Sequence, residues 1–375
     1  MNRQNNENAD LLAVERALKL KPPKGSCLIG FDGYVDEIYR VVEKRCSGNP
    51  PGFYEKIEEF GRRIILAAGK SADIEIIRKE TRFGGNAPIM ADALAALSLQ
   101  SVCIGQMDTD EKNSPFLQMH PYCSRISTGR ASRTIALEFT DGKIMLGSLD
   151  GKKLTWGRIK EKTGFSYLKN LVEKSGLIGI VNWSGMEDIC GIMSGLQTEI
   201  LDLLSETERR KKYLFFDLAD PSALQGEELG RIAECIRRAG ESTKTVIGVN
   251  ENEAYWLGKS WNINTDSIEK MGKALLSELN GMYLFIHTNR SIYGFTESGV
   301  SYYEGKYVVK PITVTGAGDH FNAGLCMGLL QNLTPRQAMI LGQMAASYYV
   351  EYGKTPGRQE LLVYLNQYKN RQGES

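Results

Sequence analysis

Four short, uninterrupted apolar runs punctuate the second half of the chain: 177–181 (LIGIV), 213–216 (YLFF), 245–249 (TVIGV) and 283–287 (YLFIH). Stretches with helical spacing stand between them, at 195–205, 227–239 and 265–279. A strand with one face in water alternates polar and apolar residues, so a continuous run marks a strand covered on both faces. Such strands alternating with helices predict an α/β fold with a mostly parallel sheet. The runs 26–31 (SCLIGF) and 101–105 add two strands, and the small-residue stretch 87–97 adds a helix.

Some segments do not fit this alternation. Residues 133–139 alternate in the strand manner, Asp141-Gly142 supplies turn chemistry, and 144–146 resume an apolar run, which predicts a hairpin. Residues 36–42 (DEIYRVV) read as a further strand. Together these predict a small β lid, with strands near 34–44 and 126–149. Residues 46–52 (CSGNPPG) predict a loop, because Pro, Gly and Asn interrupt regular structure there. A charged helical stretch follows at 53–68. The whole segment 46–82 reads as an insertion of unassigned role, and 1–25 as a polar, helical extension ahead of one domain over 26–375.

Composition narrows the function classes. A net charge of +1 gives no global field for nucleic acid or an anionic membrane. No apolar run approaches the ~20 residues needed to span a bilayer, and residues 1–10 are polar rather than ordered like a secretory signal. The seven cysteines are scattered, with no CxxC pair. That pattern predicts reduced, mostly buried thiols in a cytoplasmic protein, without zinc or a disulfide framework.

The segment richest in chemistry is Thr315-Gly316-Ala317-Gly318-Asp319, followed by His320-Phe321-Asn322-Ala323-Gly324. Phe321, Leu325 and Leu329 recur at four-residue spacing, so a helix opens at the glycines. A helix start carries main-chain N–H groups without intrahelical partners, and with the helix dipole they form an anion site. Small residues let a phosphate approach the backbone. Asp319, in the first turn, is placed to take a proton from an attacking hydroxyl, and the amides of Gly316, Ala317 and Gly318 to hold charge on a transferring phosphoryl group. The plainer reading is an ordinary helix start with Asp319 as a cap.

This stretch resembles the second signature of ribokinase-like (phosphofructokinase-B type) carbohydrate kinases, DTxGAGDxFxAG. The resemblance implies a three-layer α/β sandwich with a mostly parallel central sheet and a β lid. It also implies Asp319 as catalytic base and Gly316–Gly318 as anion hole. The leading Asp of the signature is Thr313 here, which puts monovalent-cation activation in doubt. Further segments follow in the family's order over residues 26–365. Gly30-Phe31-Asp32-Gly33-Tyr34-Val35-Asp36 looks like the opening strand, with Asp36 as the acceptor-binding aspartate and Asp32 as a turn residue. Gly84-Gly85-Asn86 resembles the Gly-Gly substrate motif, although Ile89 stands where the family commonly has Asn. Asn250-Glu251-Asn252-Glu253 matches NxxE. Asn250 is thereby implied in nucleotide binding and Glu253 in holding Mg²⁺ through water; taken alone the same residues read as a helix capping box.

At the nucleotide end, Thr288 matches a family Thr, while Arg290 replaces a glycine and reads either as a phosphate contact or as a surface charge. Gly342 and the small residues after it resemble the helix that flanks adenine. The resemblance thus implies MgATP as cofactor, a small sugar-like acceptor, and a homodimer formed through the lid. Two alternatives stay open: a nucleoside kinase of the same fold, and a catalytically impaired sugar-binding protein. A haloacid-dehalogenase-like phosphatase is rejected because Gly30 occupies the nucleophile position. A dinucleotide-binding oxidoreductase is rejected because no Gly-x-Gly-x-x-Gly follows the first strand.

Overall fold

The computed structural model describes residues 2–45, 48–110, 112–148, 153–222, 224, 226–288, 290–305, 308–309 and 311–373. Cys46 and Leu149, which fall in the expected loop and lid, lie outside them. The chain moves back and forth between two sheets. β1 (Ser26–Phe31) starts the larger one, and β2 (Tyr34–Lys44), the two-residue β3 (Gly52–Phe53) and β4 (Ile76–Gly84) build the smaller. β5 (Gln100–Asp108) and β6 (Cys123–Arg130) return to the larger sheet, then β7 (Ser132–Glu138) and β8 (Lys143–Ser148) to the smaller. β9 (Ser175–Ile180), β10 (Tyr213–Asp217), β11 (Lys244–Asn250), β12 (Tyr283–His287), β13 (Ser291–Thr296) and β14 (Gly299–Glu304) complete the larger.

Among the described residues the larger sheet has nine strands in the order β14-β13-β12-β11-β10-β9-β1-β5-β6. Pairing is parallel from β6 to β12 and antiparallel at β12–β13–β14. The apolar runs are buried in it: Ile178, Leu214, Phe216, Ile247 and Leu284 pack on one face, Phe215, Val246 and Phe285 on the other. Helices cover both faces, as continuous runs require. The helix Ala317–Leu330 is buried around most of its circumference, including Phe321, Leu325 and Leu329.

The smaller sheet is the lid. β2 pairs antiparallel with β4 from Tyr34–Gly84 to Val41–Ile76, and parallel with β7 from Tyr34–Ser132 to Tyr39–Leu137. β7 and β8 form the expected hairpin. The helix Ile57–Ile65 closes a small core of Val41, Phe60, Leu137 and Phe139, with the Phe60 and Phe139 rings 5.6 Å apart. Residues 46–82, expected as an insertion, therefore supply β3, that helix and the long strand β4, which runs straight into Gly84-Gly85.

Two other expectations are corrected. Residues 123–130 belong to the larger sheet as its edge strand β6, not to the lid. An edge strand is only partly covered, and this one (CSRISTGR) lacks the continuous apolar run of its neighbours. The N-terminal helix Asn2–Lys19 is no appendage. It buries Leu11, Val14 and Leu18 in the main core, and Arg358 Nη2 donates to Leu18 O at 2.8 Å. Its apolar stripe is narrow, so polar residues dominate the composition of the segment.

The parallel strands share one direction, and their C-terminal ends line one edge of the sheet. Each run stops there in a polar residue: Asp32 after β1, Asn182 after β9, Asp217 in β10, Asn250 in β11. That edge is where ligands bind in sheets of this kind.

Candidate active site

Two glycine turns open two buried helices at this edge. Asn86–Ala96 starts from Gly85 at φ 94°, and Ala317–Leu330 from Gly316 at φ 92°. Both values lie in the region that only glycine enters freely. Gly84 has a second constraint: a Cβ there would lie 2.3 Å from Asp36 Cγ. Asp36 is thus seated directly against the Gly-Gly motif.

The first turn is filled from inside the protein. Asp32 accepts the Asn86 N–H at 2.8 Å, the Ala87 N–H at 2.7 Å and Asn182 Nδ2 at 2.7 Å. Asp32 does sit in the β1–β2 turn as expected; it is also buried there and caps the helix Asn86–Ala96. Asn86 Nδ2 donates to Asp217 Oδ2 at 2.8 Å, and Asn322 Nδ2 reaches Asp217 Oδ1 at 3.3 Å. Asp217 therefore ties the Gly-Gly-Asn turn to the helix that carries Asp319.

The second turn is open. Among the described residues no side chain from elsewhere is bonded to the first amides of this helix, and at Gly318 none lies within 4 Å of where a Cβ would stand. The Ala317 N–H makes only a long 3.3 Å bond to Val314 O. Ile89, at the position where Asn was expected, packs beside Gly316. Asp319 is buried in the first turn. Burial pushes its carboxyl well above the usual carboxylate range; Asp217 and Asp32 add to the shift, Lys143 opposes it and Asp36 adds a little more. Asp36 is likewise raised by burial, against the pull of Arg82, a Thr134 hydroxyl and Lys143. Asp217 is pushed up to about 6, again chiefly by burial.

Two lid cations meet these carboxylates, and sequence reasoning missed both. Lys143, the first residue of β8, donates from Nζ to Thr315 Oγ1 at 2.8 Å. Burial lowers its pKa, while Asp36 and Asp319 favour its charged form. Arg82, from β4, stands 3.4 Å from the Tyr349 hydroxyl and has a buried Nε with no partner among the described residues. Only the pairing of the lid strands brings these residues over the turn. Asp217 and Asn182 carried a usable signal, because each ends an apolar strand at the binding edge.

A cleft of about 1070 Å³ runs from the lid to the helix Pro335–Tyr352, lined by Lys143, Thr288, Thr315, Ala317, Gly318 and Gln343 among others. Thr288 Oγ1 also accepts the Arg290 N–H at 3.1 Å and the Ser291 N–H at 2.9 Å, closing the β12–β13 turn. Arg290 is exposed in that turn. Gly342 does not face the cleft: a Cβ there would lie 2.8 Å from Phe321 O, so it serves the close crossing of two helices, and Gln343 lines the cleft instead. Asn250 and Glu253 form the capping box. Glu253 Oε2 accepts the Asn250 N–H at 2.8 Å, Oε1 accepts Nδ2 at 2.6 Å, and the Glu253 N–H donates to Asn250 Oδ1 at 2.9 Å. Burial, then Asp217, pushes the Glu253 carboxyl up to about 9.

Comparison with known proteins agrees with this geometry. The family model described as prokaryotic ketohexokinase matches residues 4–368. A ketohexokinase from Haloferax volcanii is 25% identical over 347 residues, covering 92% of each chain. Among solved structures, a ribokinase from Thermotoga maritima superposes with a TM-score of 0.59 at 16% identity, covering 92% of this chain and 99% of its own. An adenosine kinase from Sinorhizobium meliloti gives 0.61 at 15% identity, with the same coverage. A protein assigned as a ribokinase II from E. coli, in complex with ATP and Mg²⁺, gives 0.63 at 12% identity, again with that coverage. The match over nearly the whole chain, on a ribokinase-like fold with its glycine turns in place, shows that the chain belongs to the prokaryotic ketohexokinase family of carbohydrate kinases.

Proposed function

We propose that the protein transfers the γ-phosphoryl group of ATP to a hydroxyl of a ketohexose-like sugar. The acceptor class comes from the family match and from the name of the Haloferax volcanii relative. The observation that carries the mechanism is the contrast between the filled Gly-Gly-Asn turn and the open Gly-Ala-Gly turn, with Asp319 in the first turn of the second helix.

In this reading Asp36, Gly84, Gly85 and Asn86 hold the sugar. Asp319 takes the proton of the attacking hydroxyl. A carboxyl raised by its surroundings is the stronger base once ionised, and Lys143 favours the ionised form. The main-chain amides of Gly316, Ala317 and Gly318 hold charge that builds on the transferring group. The lid excludes water, which otherwise competes as acceptor. Thr288 contacts the nucleotide tail at the cleft, with Arg290 nearby. Glu253 and Asp217 are buried carboxylates, and Asp217 adds to the raised proton affinity of Glu253, a combination suited to a nearby cation. Both Glu253 oxygens are held by the cap, so they would meet Mg²⁺ through its waters. That ion, arriving with the nucleotide, supplies charge neutralisation on the phosphates.

Exposed apolar side chains on the lid strands, Ile77, Met145 and Leu146, support a homodimer formed through the lid, which sedimentation would detect. The decisive experiment is an ATP-dependent transfer screen over ketohexoses, aldoses, sugar acids and nucleosides, with Asp319→Asn beside the wild type. The expected result is transfer to a ketohexose and at least a ~10²-fold loss of turnover in the variant. Near-normal turnover in the variant would remove Asp319 as base. Transfer to nucleosides alone would replace the sugar reading.

A further inference from the structure

Two consecutive carbonyls at the open turn are each held by a ring, and the two rings stack on each other. The Tyr349 hydroxyl donates to Thr315 O at 2.9 Å. His320 Nδ1 lies 2.7 Å from Gly316 O, which also accepts the His320 N–H at 3.1 Å. A carbonyl only accepts, so Nδ1 carries the hydrogen and the tautomer is set. The ring centroids are 3.7 Å apart at an interplanar angle of 15°.

The imidazole is anchored from behind as well. His320 Nε2 lies 3.0 Å from Thr355 Oγ1, and that hydroxyl lies 3.3 Å from Asp92 Oδ2. Asp92 Oδ1 accepts the His120 N–H at 2.6 Å. Asp92 belongs to the helix Asn86–Ala96, which starts at the acceptor-side turn. The contacts Asp92–Thr355–His320–Gly316 therefore run from the acceptor-side helix to the anion turn; Thr355 has one hydroxyl hydrogen, and with Nδ1 protonated in a neutral ring that hydrogen is donated to Nε2 rather than to Asp92.

We infer that His320, backed by Thr355 and Asp92 and stacked on Tyr349, is a positioning residue that aims the amides of the anion turn at the transferring phosphoryl group. This rests on the proposed phosphoryl transfer. The physical reason is the planarity of the peptide unit: fixing a C=O fixes the N–H on its far side. Holding Thr315 O aims the Gly316 N–H, and holding Gly316 O aims the Ala317 N–H. Donors fixed before the reaction need no reorganisation when charge develops, which is what gives them catalytic value. Burial pulls the His320 imidazole down to about 4, with the Gly316 carbonyl opposing and Arg82 assisting. A neutral ring holds the turn without competing for the phosphate.

The test uses the full chain with the best sugar acceptor. His320→Ala is expected to lower kcat about 10- to 100-fold, less than loss of a direct donor, with KM for the sugar within about 2-fold. MgADP should bind as in the wild type, while MgADP with aluminium fluoride, a mimic of the transferring group, should bind more weakly by a similar factor. In His320→Asn the side-chain amide replaces Nδ1–H as donor to Gly316 O, and most of the loss should be recovered. Should His320→Ala fail to fold, Thr355→Val removes only the rear anchor and should show the same selective weakening, to a smaller degree. A His320→Ala kcat within about 3-fold of the wild type would overturn the inference. So would equal weakening of MgADP and its fluoride complex, or no recovery in His320→Asn. A wild type that transfers nothing would instead remove the kinase reading itself.

Discussion

The turns at Gly85 and Gly316 are near twins in backbone conformation and opposite in what fills them. Each places a glycine at φ near 93° ahead of a buried helix. At Gly85 the protein's own carboxylate, Asp32, takes the first two amides. At Gly316 no carboxylate among the described residues takes the amides, Gly318 faces open space, and two lid cations gather instead. A helix N-terminus attracts an anion in either case. Supplying that anion internally occupies the first turn; leaving it out keeps the amides of the second available, which is the basis of the proposed acceptor and phosphate sites. In the proposed reading, that difference assigns the phosphate to the Gly316 turn.

Variants at the two turns can sharpen or break this comparison. The largest effect is the loss of turnover in Asp319→Asn. Next is Asp32→Asn, where three donors converge on two carboxylate oxygens and an amide would turn its NH₂ against one of them. We expect about 2–3 kcal/mol of lost stability in chemical denaturation. An unchanged midpoint would mean that the first turn does not need its internal anion. Lys143→Met should lower kcat about tenfold, since it removes one charge-stabilising group over the open turn, with little change in melting temperature. Gly318→Ala should keep the fold, because space is open there, and weaken MgATP; Gly85→Ala should cost stability, through its positive φ and the nearby Asp32 carboxylate.

A subtler difference lies in pH dependence. The folded state raises the proton affinity of Asp319. Below about pH 4, the ordinary carboxylate range, both folded and unfolded chains hold that proton and its stabilisation is fully present. As pH rises through the raised folded value, the stabilisation is lost. Asp319→Asn stays neutral throughout, so it should melt higher than the wild type at pH 8, with the gap closing toward pH 4. Burial raises the Asp32 carboxyl as well, so its linkage has the same sign, but Asp32→Asn also sets an NH₂ against converging donors and should melt below Asp319→Asn at pH 8. The smallest effect concerns Thr313: exchanging Na⁺ for K⁺ should leave the rate unchanged.

Much of this molecule is legible in the chain. The continuous apolar runs announced the parallel strands, and TGAGDHFNAG announced a helix opening at a glycine turn with Asp319 in its first turn. Both signals are local: burial on two faces imposes one residue pattern, and close approach to the backbone imposes another. Other features depended on partners distant in sequence. Asp32 reads as a turn residue until Asn86, Ala87 and Asn182 arrive around it. Gly342 reads as a ligand contact until Phe321 is found against it. Lys143 and Arg82 are ordinary charges until the lid strands pair and bring them to Thr315, Tyr349 and Asp36, and His320 has no evident task until Gly316 O and Thr355 bracket its ring. Covalent spacing sets which groups a helix or strand presents. Which carboxylate meets which amide is decided only when β1, β4, β8 and β9 converge, because the strengths of hydrogen bonds and of charge pairs depend on distance and burial that no single segment contains.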